Sequence, residues 1–508
     1  MFPNSTAARL IRLAFLVSLP TAMTASPLFK TAPTDFSGGD AAVSMAVADL
    51  NGDRKLDVVV ANAFSCDTCY THGSVGVLLG NGDGTFQPPR SYDSGGCGTR
   101  GIAIADLNGD GTFDLIVANA CAAGTLCDGN SNTGSVAVLL GNGDGTFQPA
   151  HVYSAGNQIP FYLALGDFNR DGKLDVVVAD GCGGCGHRNI AVLLGNGDGT
   201  FGLPRTYDLG GQPQGIAVGD IDGDGKLDVV VGLETIGAQN TSSVVLFGEG
   251  DGTFPTSRTL YPAGAYPALA DVNGDGRLDL IVATPCSNTK CTKNGVGVLL
   301  GDGHGSFQPI QIYNSGGDDT DFVAIGDLNR DGKPDIFVAN YFGKVGTLLG
   351  AGDGTFSPVR LSNPALGGAF SMAVGDVNGD GKPDLLVAIY QLSNFSSGGV
   401  GVLLNNTFWP TTTALASGPN PSVQGQRVTL TATLTTVGSI APTGRVVFRN
   451  GAVILGSTAL VGGIATLSKT NLPIGTLSLT ATYQGDMNSA KSTSPVSIQV
   501  VNAPPGTP

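Results

Sequence analysis

The stretch DLNGDGTFD, Asp106 to Asp114, sets side-chain oxygens at its first, third, fifth and ninth positions around a glycine at the sixth. Calcium is a hard cation that takes about six to eight oxygens at ~2.3–2.6 Å, and a short loop can wrap it only if donors alternate and the backbone turns sharply. Asp106, Asn108, Asp110 and Asp114 offer the side-chain oxygens, Thr112 offers its carbonyl, and Gly111 permits the turn. Water would fill the remaining positions.

The loop occurs seven times. The first copy offers Asp49, Asn51, Asp53 and Asp57 with the Lys55 carbonyl, the third Asp167, Asn169, Asp171 and Asp175 with the Lys173 carbonyl. The fourth offers Asp220, Asp222, Asp224 and Asp228 with the Lys226 carbonyl, and the fifth Asp271, Asn273, Asp275 and Asp279 with that of Arg277. The sixth offers Asp327, Asn329, Asp331 and Asp335 with the Lys333 carbonyl, and the seventh Asp376, Asn378, Asp380 and Asp384 with that of Lys382. An EF-hand would need an acidic residue at position twelve and a flanking helix. Position twelve is Val60, Val117, Val178, Val231, Val282, Val338 or Val387, each inside an apolar run, so each loop joins two strands.

A bland reading is that Asp, Asn and Gly simply make good turns. It suits the separate NGDGTF segments, whose single aspartate cannot cage an ion. It does not suit the nine-residue loops, where three carboxylates within one turn repel one another. About seven calcium ions are therefore expected, and at millimolar calcium a ~0.1 mM site contributes about 1.4 kcal/mol per ion. The first loop carries Arg54 where the others have glycine, so it should be the weakest or the most strained.

The elements around the loops follow from what flanks them. The copies start 49 to 61 residues apart, near the periods of propellers and solenoids. An apolar stretch such as GIAIA leads in and DLIVANA leads out; SVAVLLG, the tight NGDGTF and a polar segment such as QPPRSYDSGG follow. Short β-rich runs bounded by Gly, Asn and Asp read as strands joined by hairpins, so each repeat supplies the four strands of one propeller blade. The seventh repeat lacks its fourth strand, and LFKTAPTDFSGGD near the N-terminus is close to TFQPPRSYDSGGC of the first blade. Leu28 to Ser37 should complete the blade that begins near Ala369 and close the ring.

With these loops in place, the chain resembles the FG-GAP (VCBS-type) repeat family, the calcium-loop blades also found in integrin α-subunit heads. The resemblance covers about Leu28 to Trp409 and rests on seven matched motifs. It implies a calcium-stabilised, non-enzymatic binding or adhesion protein whose partner is an extracellular protein or glycan.

After Trp409 the composition turns to Thr, Ser and Val with little acid. PSVQGQRVTLTATLT, GRVVFRNGAVILG, IATLSKTNL, GTLSLTATYQGD and SPVSIQVV alternate apolar and polar residues, with a hairpin at Asn450 and Gly451. That predicts an Ig-like sandwich and resembles bacterial Ig-like repeats, with Tyr483 a candidate corner tyrosine. The fold class is thus all-β, a seven-bladed β-propeller followed by an Ig-like β-sandwich. The expected bounds are 1–25 for a signal peptide, 26–409 for the propeller, 410–502 for the Ig-like domain and 503–508 for a Pro-rich tail. Further modules beyond NAPPGTP, or a disordered tail, remain open readings.

Arg9 and Arg12, the apolar run Leu13 to Leu19 and small residues around Ala22 to Ala25 form the order of a secretory signal. The run is too short to span a membrane, and a secreted or cell-surface monomer is expected. Formal charge is −15, which argues against nucleic acid or an anionic membrane as partner. Seven calcium ions would leave about −1, or about −3 once Arg9 and Arg12 are removed.

Nine cysteines in an exported chain read first as disulfides. Cys66 with Cys69, Cys121 with Cys127, Cys182 with Cys185, and Cys286 with Cys291 each fall between second and third strands, leaving Cys97 over. CDTCYTH with His72 and CGGCGH with His187 also admit a zinc reading, and CGGC a redox one that lacks its βαβ setting. These connections emerge opposite the metal loops and vary in length, so that face is expected to carry recognition. The alternative is a polysaccharide lyase, hydrolase or lectin built on the propeller. With four histidines, His72, His151, His187 and His304, and no nucleophile elbow or HExxH, no catalytic set can be named. One Trp is little for a lectin platform, and Tyr92, Tyr153, Tyr207 and Tyr313 recur in fourth strands as packing residues.

Overall fold

A computed structural model describes residues 29–506 except 32–34, 40, 64–72, 123–133, 157–158, 181–187, 235–240, 261–263, 285–294, 318–319, 341–343, 364–367, 391–397, 437–440 and 487–488. Seven antiparallel sheets carry the seven repeats. In the first, Ala42–Ala48, Asp57–Asn62, Ser74–Leu78 and Arg90–Asp93 lie side by side in chain order. The second strand, DVVVAN, is buried along its whole length, whereas the fourth, RSYD, is largely exposed. That gradient explains the sequence: the second strand is covered by neighbouring blades on both faces and reads as a continuous apolar run, while the fourth faces solvent.

The first strands touch one another in a closed cycle, from Ala42–Ala48 round to Gly368–Gly375 and back. Closure is made by the N-terminal segment. Phe29, Lys30 and Thr31 pair with Asn405, Leu404 and Leu403, and Asp35 and Phe36 pair with Val400 and Gly399. The strand Gly398–Asn405 thereby gains the partner that the seventh repeat lacks.

The core is a ring of layers between blades. One layer joins Val59, Val75 and Val77 of the first blade to Leu115, Val117 and Leu139 of the second. Another sets Phe29 among Phe337, Leu385 and Leu403. The recurring fourth-strand tyrosines pack as expected: Tyr92, Tyr153, Tyr207 and Tyr313 each meet edge-on the phenylalanine of the next NGDGTF turn, with ring centroids 5.4 to 5.7 Å apart.

The C-terminal unit is a sandwich. Thr411–Gly418, Val428–Thr436 and Ile464–Lys469 form one sheet. The other pairs Ser422–Val423, Ser497–Asn502, Gly475–Tyr483, Arg445–Asn450 and Val453–Ala459 in that spatial order, and adds Ser492–Thr493. The Asn450–Gly451 hairpin forms, with Gly451 at φ +51. Sequence reading did not find Thr411–Gly418 as a strand. Tyr483 is fully buried, but its hydroxyl makes no hydrogen bond to backbone among the described residues, so the corner bond is absent there. Burial and the nearby Asp486 carboxylate push that phenol up to about 12.

Candidate metal centre

Each nine-residue loop connects the first and second strands of its blade and folds through the same ladder of side-chain acceptors. In the Asp106 loop, Gly111 N donates to Asp106 Oδ2 at 2.9 Å, Asp110 N to Asn108 Oδ1 at 3.0 Å and Thr112 N to Asp110 Oδ1 at 2.7 Å. The other six loops repeat these three bonds. An acceptor at position i bonding a donor two residues on is the habit of Asx turns, and such bonds wind the loop so that positions one, three and five face one region. At position six the chain is left-handed, with Gly111 at φ +84 and Arg54 at φ +67. Arg54 holds a conformation that favours glycine, as the sequence implied.

Position nine has a task that sequence reading missed. The carboxyl of Asp114 is fully buried; its Oδ2 accepts from Leu107 N at 2.9 Å and its Oδ1 from Gly141 N at 2.8 Å. All seven blades repeat this clamp between loop and third strand, with Asn405 standing for the glycine in the last. Gly141 is required because a Cβ there would meet the Phe113 carbonyl. The position-nine aspartates therefore fasten the loop with both oxygens, whatever further lone pairs they offer to an ion.

The electrostatics favour a cation. Burial, reinforced by the loop's own aspartates, pushes Asp335 up to about 6 and Asp384 up to about 7, against two stabilising N–H bonds each. Asp220, Asp222 and Asp224 bring carboxylate oxygens within 4.8 Å of one another. Burial and these neighbours raise Asp222, whereas the Lys226 ammonium, 3.0 Å from Asp224, lowers Asp224. Lys55, Lys173 and Lys382 reach their own position-five carboxylates in the same way, at 3.3, 3.9 and 3.8 Å. Sequence reading gave position seven a carbonyl role alone; in these four loops the ammonium is a built-in counter-charge to position five, exposed at Lys55 and Lys173 and buried at Lys382.

One atom tests whether these residues fit calcium. Asp376 Oδ1 is buried and has no hydrogen-bond partner among the described residues. A desolvated carboxylate oxygen without a donor is costly, and a hard oxygen-seeking cation would satisfy it. The donor set fits as well: oxygens only, alternating, around a left-handed turn. Position-twelve valines Val60, Val117, Val178, Val231, Val282, Val338 and Val387 are fully buried, which excludes ligation there.

The NGDGTF segments behave as turns. Asp83 accepts from both Thr85 N and Thr85 Oγ1, and Gly80 bridges Phe86. They also tie blades together: Gly84 N donates to Val377 O, Gly252 N to Phe168 O and Gly354 N to Val272 O, in each case a carbonyl at position two of the preceding blade's nine-residue loop. Position four is left-handed too, occupied by glycine in five loops and by Arg170 and Arg330 in two. Arg330 lies over the ring of Trp409, which is buried where propeller and sandwich meet and whose carbonyl accepts from Ala490 N.

Of the cysteines, Cys66, Cys69, Cys127, Cys182, Cys185, Cys286 and Cys291 lie outside the described residues, as do His72 and His187. Cys97 and Cys121 are buried and face each other across one strand pair. Among the described residues no helix is long and apolar enough to cross a membrane.

A family model of the FG-GAP-like repeat matches residues 63–117, 125–178, 167–231, 271–338 and 327–387, more than half of the chain, and one of a bacterial Ig-like domain (group 3) matches 415–501. Integrin alpha-IIb of Mus musculus is 27% identical over 215 residues, covering 39% of this chain and 20% of that protein. Cartilage acidic protein 1 of Homo sapiens is 27% identical over 270 residues, 47% of this chain and 37% of that protein. The chain thus spans between a fifth and about two fifths of these curated relatives. Among solved structures, a NanB sialidase from Streptococcus pneumoniae superposes with a TM-score of 0.40 at 11% identity, covering 75% of this chain and 71% of that one. That likeness carries no argument.

Proposed function

The chain belongs to the FG-GAP-like repeat proteins, and from that premise we propose that it is a calcium-stabilised, exported binding protein that recognises an extracellular protein or glycan without turning it over. The observation that carries this reading is the sevenfold ladder: the same acceptors at positions one, three and five, on the same face, in every blade. A catalytic site needs one asymmetric constellation; this chemistry is repeated evenly round a ring, as a scaffold repeats it.

Asp49, Asn51, Asp53 and the Lys55 carbonyl would hold calcium in the first loop, and the equivalent residues would do so in the other six, with position nine holding the loop to the sheet. Calcium would supply counter-charge to carboxylates that otherwise repel. The loops and NGDGTF turns share one face, which leaves the connections between second and third strands for recognition on the other. The Ig-like unit would act as a spacer, and the expected cystine clips would stiffen the recognition loops.

Calorimetric titration of chelated protein lacking residues 1–25 tests the reading. Uptake of about seven ions with a large rise in melting temperature is expected; weak uptake with an unchanged melt would reduce the loops to turns.

A further inference from the structure

The seven first strands enclose a cavity of about 350 Å³ at their ends remote from the metal loops. Its walls come from every blade, because its lining residues fall three to six positions before the first aspartate of each loop, as Val43–Met45 precede Asp49. Five half-buried rings stand in that wall: Phe161, Tyr162, Tyr266, Phe322 and Phe370. The hydroxyls of Tyr162 and Tyr266 both donate to Gln214 Oε1, at 3.2 and 3.4 Å, which fixes two of the rings.

Arg100 is the single charged side chain among the lining residues. Its guanidinium carbon sits 4.5 Å from the centroid of Phe161, and its Nε is buried with no hydrogen-bond partner among the described residues. A guanidinium carries five donors, and a desolvated donor left unpaired is expensive. None of the residues lining the cavity carries a carboxylate; Asp321 stands beside Phe322 on the first strand of the sixth blade but is not among them.

From this we propose that the cavity binds a small ligand bearing one carboxylate on a six-membered ring, the carboxylate pairing with Arg100 and the ring lying against the aromatic wall. The guanidinium fork matches a carboxylate with two parallel bonds, a match an ammonium cannot reproduce. A cavity of this size suits one ring and its substituents rather than a long chain. Both an acidic sugar and an aromatic acid present that chemistry. The inference rests on the binding-protein reading and names a ligand class for the face opposite the metal loops.

The test uses the full chain without residues 1–25 in millimolar calcium, titrated by calorimetry with D-glucuronate, benzoate, acetate and D-glucose. Binding of at least one ring carboxylate, with acetate and glucose each about tenfold weaker or more, is expected; glucuronate against benzoate decides which source is preferred. Arg100→Gln should lose tenfold or more at an unchanged melt. Arg100→Lys, which keeps the charge, should recover only part of the affinity and serves if the Gln variant fails to fold. No binding of either ring acid, or equal binding by folded Arg100→Gln, overturns the inference. Arraying wild type and Arg100→Gln on extracellular proteins and glycans separates the two readings. An array signal from wild type without ring-acid binding removes the cavity proposal alone, whereas ring-acid binding without any array signal removes the adhesion reading alone.

Discussion

The guanidinium of Arg330, at position four of the sixth nine-residue loop, lies 4.5 Å from the centroid of the Trp409 ring at the entry to the Ig-like unit. Two features that a linear reading keeps apart thus touch, a left-handed loop residue at φ +54 and a buried junction tryptophan. A partly desolvated cation–π pair contributes about 0.5–2 kcal/mol, offset by about 1–2 kcal/mol for a non-glycine residue in the left-handed region. Arg330→Gly should therefore leave the melt nearly unchanged while loosening the junction, read as faster proteolysis between residues 405 and 411. Arg170→Gly relieves the same strain without a tryptophan to lose, and should raise the melt with no change in cleavage. Equal cleavage of both variants would show that the contact does not hold the junction.

The first loop offers a cleaner test of strain. Arg54 is exposed, at φ +67, where the six other loops place glycine at φ +81 to +84. Its backbone N–H bond to Asp49 survives substitution, since only the side chain changes. Arg54→Gly should stabilise the protein by about 0.5–1 kcal/mol and tighten calcium at that loop. Denaturant titration with and without calcium measures both. A destabilised variant would mean that Arg54 makes a favourable contact outweighing its strain.

Positions five and nine should separate metal affinity from architecture. Asp110 is exposed and, among the described residues, accepts only within its own loop, whereas Asp114 is buried and joins the loop to Gly141. Asp110→Asn should leave the calcium-free melt almost unchanged and weaken calcium uptake at one site. Asp114→Asn would set an amide N–H₂ against a backbone donor, leaving a buried group unsatisfied at about 1–3 kcal/mol, and should lower the melt with or without calcium. If Asp114→Asn affected only the calcium-loaded form, the clamp would have no structural weight.

How much of this was legible in the sequence follows from the range of each interaction. The blade count was legible because the loop repeats and each loop is local: all its ladder bonds span two to five residues. Ring closure was legible because LFKTAPTDFSGGD repeats a fourth-strand segment found after NGDGTF. The position-nine clamp was not, because the sequence shows an aspartate but not the glycine N–H 27 residues away that occupies its second oxygen. Thr411–Gly418 escaped because TTTALASG places only one buried residue in its alternation. The Arg100 cavity depends on seven strands that meet only once the ring closes, and nothing within any one repeat marks it.

The closing strand is the last test, and it has two parts. Phe29 is 5% exposed, so nearly all of its ring leaves water, and it meets Phe337 edge-on at 6.5 Å within the layer between the sixth and seventh blades. Phe29→Ala should cost about 3–5 kcal/mol while leaving the backbone pairing of Lys30 with Leu404 available. Removing residues through Phe36 would take away that pairing as well, exposing the edge of Gly398–Asn405 to other chains. The point variant should melt lower yet stay monomeric, and the truncated chain should both melt lower and elute as larger species in size-exclusion chromatography. The contrast distinguishes packing from edge protection: a truncated chain that loses stability but remains monomeric would show that the seventh blade tolerates an open edge, and that Phe29 supplies most of what the N-terminal strand contributes.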